Sequence, residues 1–232
     1  MEATVPDLSV VLPVHNQADH LAKLVEGHTD VLDRLGWPYE LVLVLNACTD
    51  DSGRVARELA ERHPPLRVVE LQQPGWGRAV RAGLREARGD MLCYTNSART
   101  TPEMLVLHLS YARAYPQAVL KANRKIRDNW RRRLGSLIYN LECRALFDVP
   151  WWDINGTPKV FPRSFSALLA LQRDDDLIDA EFSAVCREEG YPVIEIPVLT
   201  SKRIGGKSTT NYGSALKMYA GALALKRARN HR

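Results

Sequence analysis

Residues 89–103 read GDMLCYTNSARTTPE, and the change of character along this stretch decides the architecture. Met91, Leu92, Cys93 and Tyr94 form a short apolar run, the pattern of a strand buried on both faces. The run breaks into three small polar residues, Thr95, Asn96 and Ser97. Pro102 then opens a helix with Glu103 in its first turn, where a carboxylate complements the helix dipole. A buried strand that ends in a polar loop is where open α/β sheets hold their ligands.

Outward from this stretch the same alternation repeats. Residues 8–14 read as a buried strand closed by His15-Asn16-Gln17, and a helix with apolar spacing follows from Leu21 to the stop at Gly36 and Pro38. A second apolar strand, 41–45, opens into Asn46-Ala47-Cys48-Thr49-Asp50-Asp51-Ser52. Helix 52–63, strand 67–71, a glycine-bearing loop at 72–77 and helix 77–88 lead back to the central stretch. Helix 102–115 and strand 118–122 continue it. This order predicts a mainly parallel central sheet with helices on both faces and right-handed crossovers.

Residues 124–149 depart from the alternation. Trp130, Leu134, Leu137, Ile138, Leu141 and Ala145 make an apolar helical stripe behind Arg131-Arg132-Arg133. Cations at a helix start oppose its dipole, which suits an anionic surface meeting them. The plainer reading is a solvated charge run on a helix that begins near Lys125, with the stripe packed on the sheet. Lys159-Val160-Phe161 re-enters the sheet, Asp174-Asp175-Asp176 reads as a solvated acidic loop, and helix 179–189 and strand 193–198 follow. Residues 202–208, KRIGGKS, form a basic glycine-bearing loop suited to a phosphate, and 212–229 a basic amphipathic helix.

A chain of 232 residues fits one domain, and a net charge of +5 with pI about 9.1 favours anionic partners. Residues 201–232 carry eight Lys/Arg and no acid. Cys48, Cys93, Cys143 and Cys186 lack metal-type spacing and read as reduced thiols. No stretch has the ~20 apolar residues of a membrane span, and Glu2 and Asp7 do not suit a signal peptide. The expectation is a cytoplasmic protein, peripheral at a membrane, that does not bind nucleic acid.

Together the motifs resemble family-2 glycosyltransferases with a GT-A fold, in particular the dolichol-phosphate and polyprenyl-phosphate sugar synthases. The resemblance spans roughly residues 8–210. LPVHN at 12–16 is similar to the opening strand and turn, and NACTD at 46–50 to the nucleotide loop. GWGRAVRAG at 75–83 resembles the glycine-rich helix start, and DINGTPK at 153–159 the acceptor-side loop. DAE at 179–181 followed by GYPVIEIP at 190–197 resembles the D-x-E helix and next strand. RIGGKS at 203–208 resembles the phosphate loop. The resemblance implies one α/β GT-A domain over 1–232, with a nucleotide half at 8–122 and an acceptor half at 123–232.

It implies donor contacts at Pro13, His15, Asn16, Asn46, Arg78, Thr95, Asn96, Ser97, Arg99, Arg203 and Lys207, and catalytic roles for Asp179, Glu181 and Asp153. Thr95-Asn96-Ser97 stands where the family carries D-x-D, and Gln17 and Asn46 are neutral where it carries acids. Hydroxyls do not replace carboxylates as hard ligands, so the expectation is no metal and no cofactor, with Arg and Lys meeting the diphosphate. The implied reaction is inverting transfer of a hexosyl group from a nucleotide-sugar to a polyprenyl phosphate or a small hydroxyl acceptor. Two alternatives remain: a binding protein that has lost catalysis on this fold, and nucleotidyl transfer. Each acidic candidate also has a plainer role: capping for Asp179 and Glu181, a turn for Asp153.

Overall fold

The computed structural model describes residues 5–126, 130–199 and 212–230. In chain order the elements are β1 (Leu8–Val14), α1 (Leu21–Leu35), β2 (Tyr39–Asn46), α2 (Ser52–Arg62), β3 (Leu66–Leu71), α3 (Trp76–Glu86) and β4 (Met91–Tyr94). Then come α4 (Pro102–Ala114), β5 (Val119–Ile126), α5 (Trp130–Phe147), β6 (Lys159–Pro162), α6 (Ile178–Glu188), β7 (Val193–Leu199) and α7 (Tyr212–Asn230). The strands form one sheet in the order β3-β2-β1-β4-β6-β5-β7. Among the described strands only β6 runs antiparallel to its neighbours, β4 and β5.

Every residue of β1 is buried, so the sheet carries a core on each face. Leu8, Val10 and Leu12 join Leu24, Leu59, Leu105 and Leu109 beneath α1, α2 and α4. Val11 joins Val80, Tyr139, Phe182 and Leu225 beneath α3, α5, α6 and α7. Alternate residues of one strand thus supply both cores, which is why the strands read as continuous apolar runs. Pro13 is tolerated in this central strand because β4 pairs with β1 only from Leu8 to Val11. Its missing N–H is no loss where the ladder has ended.

Two expectations need correction. β5 runs to Ile126 because its polar second half pairs with β7, Asn123 opposite Pro197 and Arg124 opposite Val198. A partner strand settles what local apolarity does not. The division of the chain at 122 and 123 therefore falls inside a strand, and α5 begins at Trp130 rather than near Lys125. The second correction concerns the apolar stripe of α5. Tyr139, Cys143 and Phe147 face the core, whereas Leu134, Leu137, Ile138 and Leu141 are 50%, 44%, 50% and 49% exposed. α5 meets α7 through its other side, with Tyr139 edge-on to Tyr219 and the Tyr219 hydroxyl donating to the Gly135 carbonyl at 2.6 Å.

Candidate active site

The carboxyl ends of β1, β2 and β4 carry the loops that the sequence singles out. Asn16, at φ 50, accepts the Thr49 N–H at 2.8 Å and donates to the Thr49 hydroxyl at 3.2 Å. The Gln17 N–H donates to the Ser52 hydroxyl at 2.9 Å, and the Ala18 N–H to Asp50 at 3.1 Å. Burial pushes the Asp50 carboxyl up, but hydrogen bonds from Ser52 and Ala18 outweigh it and hold the pKa below the usual range. His15 Nδ1 donates to the Asn46 carbonyl at 2.7 Å, while the Asn46 side chain accepts the Gly75 N–H at 2.9 Å. Three loops distant in sequence are thereby joined, through neutral groups and the Asp50 carboxylate.

The glycine-bearing turn at 75–77 lies directly under residues 173–175. A side chain at Gly75 or Gly77 would overlap the backbone carbonyls of Asp174 and Arg173. The Arg78 N–H donates to the Asp174 carbonyl at 3.0 Å, and Arg78 and Arg81 both pair with the Asp174 carboxylate, at 3.0 and 2.5 Å. The acidic loop is solvated, with the Asp174 side chain 44% exposed, and these two ion pairs tie it to α3. Glu181, 3% exposed, accepts the backbone N–H groups of Gln172 and Arg173 at 2.9 and 2.8 Å. It thus fixes residues 172–175 over the α3 start instead of capping its own helix.

Thr95 and Ser97 are buried, at 0% and 2% exposure. The Thr95 hydroxyl bonds the Thr100 hydroxyl, and the Ser97 hydroxyl donates to the Pro13 carbonyl at 2.7 Å. Asn96 accepts the Ala98 N–H at 3.0 Å, and the Arg99 N–H donates to the Asn96 carbonyl at 3.0 Å in a partly exposed turn. Both positions that hold D-x-D acids in the resembled family thus carry neutral hydroxyls already spent inside the fold. This donor set does not fit a hard divalent cation. Arg203 and Lys207 lie outside the described residues.

Asp179 is 4% exposed, and its carboxylate joins three elements. Oδ1 accepts the Tyr94 hydroxyl at 2.8 Å and the Lys159 ammonium, and Oδ2 accepts the Trp76 indole N–H at 3.2 Å. Lys159 is fully buried over the rings of Tyr94 and Phe182, at 5.2 and 5.4 Å. Burial lowers the Lys159 pKa, opposed by the attraction of Asp179. Burial, then Asp179, pushes the Tyr94 hydroxyl well up, so it donates and does not ionise.

Beside this group lies a second set of buried charges. Asp153, 3% exposed, takes the Arg124 guanidinium through two bonds of 2.6 Å and the Arg124 N–H at 2.9 Å. Burial opposes the charge on Arg124, but Asp153 outweighs it and raises the guanidinium pKa. Lys121, opposite Lys159 in the sheet, donates to the Asp153 carbonyl at 2.7 Å and to Glu195 at 2.9 Å. Glu195 also accepts the Trp152 N–H at 3.0 Å. Gly156 lets the 153–158 turn press onto β5, since a side chain there would overlap the Ala122 carbonyl.

Sequence reasoning missed Lys121, Lys159, Arg124, Glu195, Tyr94 and Trp76. A signal existed for Lys121: it interrupts VL and A in a strand of a sheet covered on both faces, so it must find an acid inside.

The Glycosyl transferase family 2 model matches residues 9–166. The chain belongs to glycosyl transferase family 2. It is 32% identical over 210 residues to an undecaprenyl-phosphate 4-deoxy-4-formamido-L-arabinose transferase of Edwardsiella ictaluri, covering 88% of this chain and 63% of that protein. A transferase of the same description from Pectobacterium atrosepticum is 26% identical over 214 residues, covering 90% and 64%. The chain thus spans less than two thirds of these relatives' length. Glucosyl-3-phosphoglycerate synthase of Mycobacterium tuberculosis, solved with Mn2+, uridine-diphosphate and phosphoglyceric acid, superposes with TM-score 0.73 at 16% identity, over 95% of this chain and 78% of that one. A mannosyltransferase of Pyrobaculum calidifontis, solved with GDP-Man and Mn2+, gives 0.59 at 20% identity, over 98% and 64%. These likenesses establish the GT-A fold of the family-2 domain.

Proposed function

We propose that this family-2 domain transfers a hexosyl group from a nucleotide-sugar to a polyprenyl-type lipid phosphate at an anionic membrane surface, with inversion and without a divalent metal. The observation that carries the reading is the state of the D-x-E helix. Asp179 and Glu181 are buried and spend their oxygens on protein donors. A hydroxyl acceptor needs a base to take its proton, whereas a phosphate arrives already anionic. The undecaprenyl-phosphate relatives, matched over most of this chain, support the same acceptor class. Among the described residues no helix is long and apolar enough to cross a membrane, which suits contact at the surface.

In this reading the loops around Asn16, Asn46 and Gly75 hold the nucleoside. Arg203 and Lys207, with Arg78 and Arg99, meet the diphosphate charge that develops as the sugar leaves. Asp153, Asp179 and Glu181 keep the loops in place. The neutral Thr95 and Ser97 favour metal independence, and their loss of acid equally suits a donor-binding protein without turnover. One experiment separates these outcomes. Nucleotide-sugar binding is measured by calorimetry in EDTA and in Mn2+, and transfer of labelled sugar to a short-chain polyprenyl phosphate is followed in parallel. Equal affinity in both buffers with labelled lipid product is expected. A tenfold loss in EDTA, about 1.4 kcal/mol, would refute metal independence. Binding without product would favour the inactive reading.

A further inference from the structure

We infer that the outer face of α5, continued by Trp152, is the surface through which this domain meets an anionic bilayer. The inference rests on the lipid-phosphate reading above. Leu134, Leu137, Ile138 and Leu141 occupy adjoining turns of one helix face, and all are exposed. Large apolar side chains scattered over a surface need no explanation, but a contiguous stripe of them does. Leu137, Leu141 and Arg144 follow the i, i+4, i+7 ridge of the helix. The Arg144 guanidinium stacks over Trp152 at 4.1 Å and donates to the Trp151 carbonyl at 3.2 Å, so the ridge continues onto a fixed indole that is 41% exposed. Trp152 directly precedes Asp153, the partner of Arg124. The apolar ledge therefore ends beside the buried Asp153–Arg124 pair.

Charge selects the occupant. The sequence of α5 holds Arg131, Arg132, Arg133 and Arg144 against Glu142 alone. An apolar stripe on a basic helix is the composition of an element lying in an anionic interface. A second copy placed on the same face would bring two basic helices together.

The test uses the exposed positions, where substitution does not disturb the core. Wild type and the Leu137→Ser/Leu141→Ser double variant are sedimented with vesicles containing phosphatidylglycerol at low salt. The double variant should lose about tenfold or more in partitioning, as expected for two leucines no longer leaving water. Its thermal midpoint and its transfer to a soluble short-chain acceptor should stay unchanged, while transfer to a vesicle-embedded acceptor falls. Wild type that ignores such vesicles, or a double variant that binds them equally, overturns the inference. So does concentration-dependent self-association that the double variant abolishes, which would assign the face to a second copy. Absence of transfer to the soluble acceptor by wild type, with vesicle binding intact, would sink the transferase reading alone.

Discussion

Two buried carboxylates sit at opposite ends of the same sheet, and their partners differ. At the amino ends of the strands, Glu40 accepts the Ser9 hydroxyl at 2.7 Å and pairs with Arg67 and Arg88, both at 3.2 Å. Those arginine side chains are 30% and 55% exposed, so the pair is dissolved in water at one side. Burial raises the Glu40 carboxyl, yet hydrogen bonds from Ser9, the Arg88 N–H and Arg67 outweigh it and hold the pKa below normal. At the carboxyl ends, Asp179 faces Lys159, which has no exposure at all. The first arrangement tethers the edge of the fold. The second makes each charge a condition for the other, because an ammonium left alone in a dry interior has no way to recover its hydration.

This difference is open to direct attack. Asp179→Asn should cost ~3–5 kcal/mol of stability in urea denaturation, the loss for one partner of a buried pair. Asp179→Asn/Lys159→Met should recover much of it. Asp179→Asn that keeps wild-type stability but loses turnover would instead give Asp179 a chemical role. His108 sharpens the contrast, being buried with no acid beside it. Burial depresses its pKa from 6.5 to about 4, so the unfolded chain binds the proton first and stability is lost as pH falls from about 6.5 towards 4. The His108 contribution is a loss of about 2 kcal/mol at pH 5, and His108→Gln should remove that part of the slope. Glu40→Gln should cost only about 1–2 kcal/mol, because water reaches the arginines it leaves behind. Asn46→Ala, which frees the Gly75 N–H in a half-exposed turn, should cost about 1 kcal/mol and weaken donor binding more than folding. The smallest effect belongs to Leu137→Ser, within about 0.5 kcal/mol by the same denaturation.

The fold was largely legible because β1, β2 and β4 carry continuous apolar runs and α1 stops at a glycine, Gly36, with φ 67. The loops beyond the strands were legible for a similar reason. Asn16, Asn46 and Gly75 are residue types that turns require, and they fall at strand ends. What stayed hidden was pairing between distant residues. No local pattern tells that Lys159 meets Asp179, or that Asp174 meets Arg78 and Arg81, because charged side chains in a sequence look the same whether they face water or each other. The face of α5 was hidden as well. Its stripe has the spacing of a packed helix, and only the position of α7 decides which side is covered.

β6 inserts between β4 and β5, and this has a consequence during synthesis. β5 leaves the ribosome with neither of its sheet neighbours yet made, since both β6 and β7 follow it in the chain. At ~5–20 residues per second, its edges stay open for on the order of seconds while the first four strands can already assemble. Lys121, destined for the interior, then sits in the middle of that open edge and remains hydrated. A charge that the finished protein must neutralise thus guards the nascent strand against pairing with another chain.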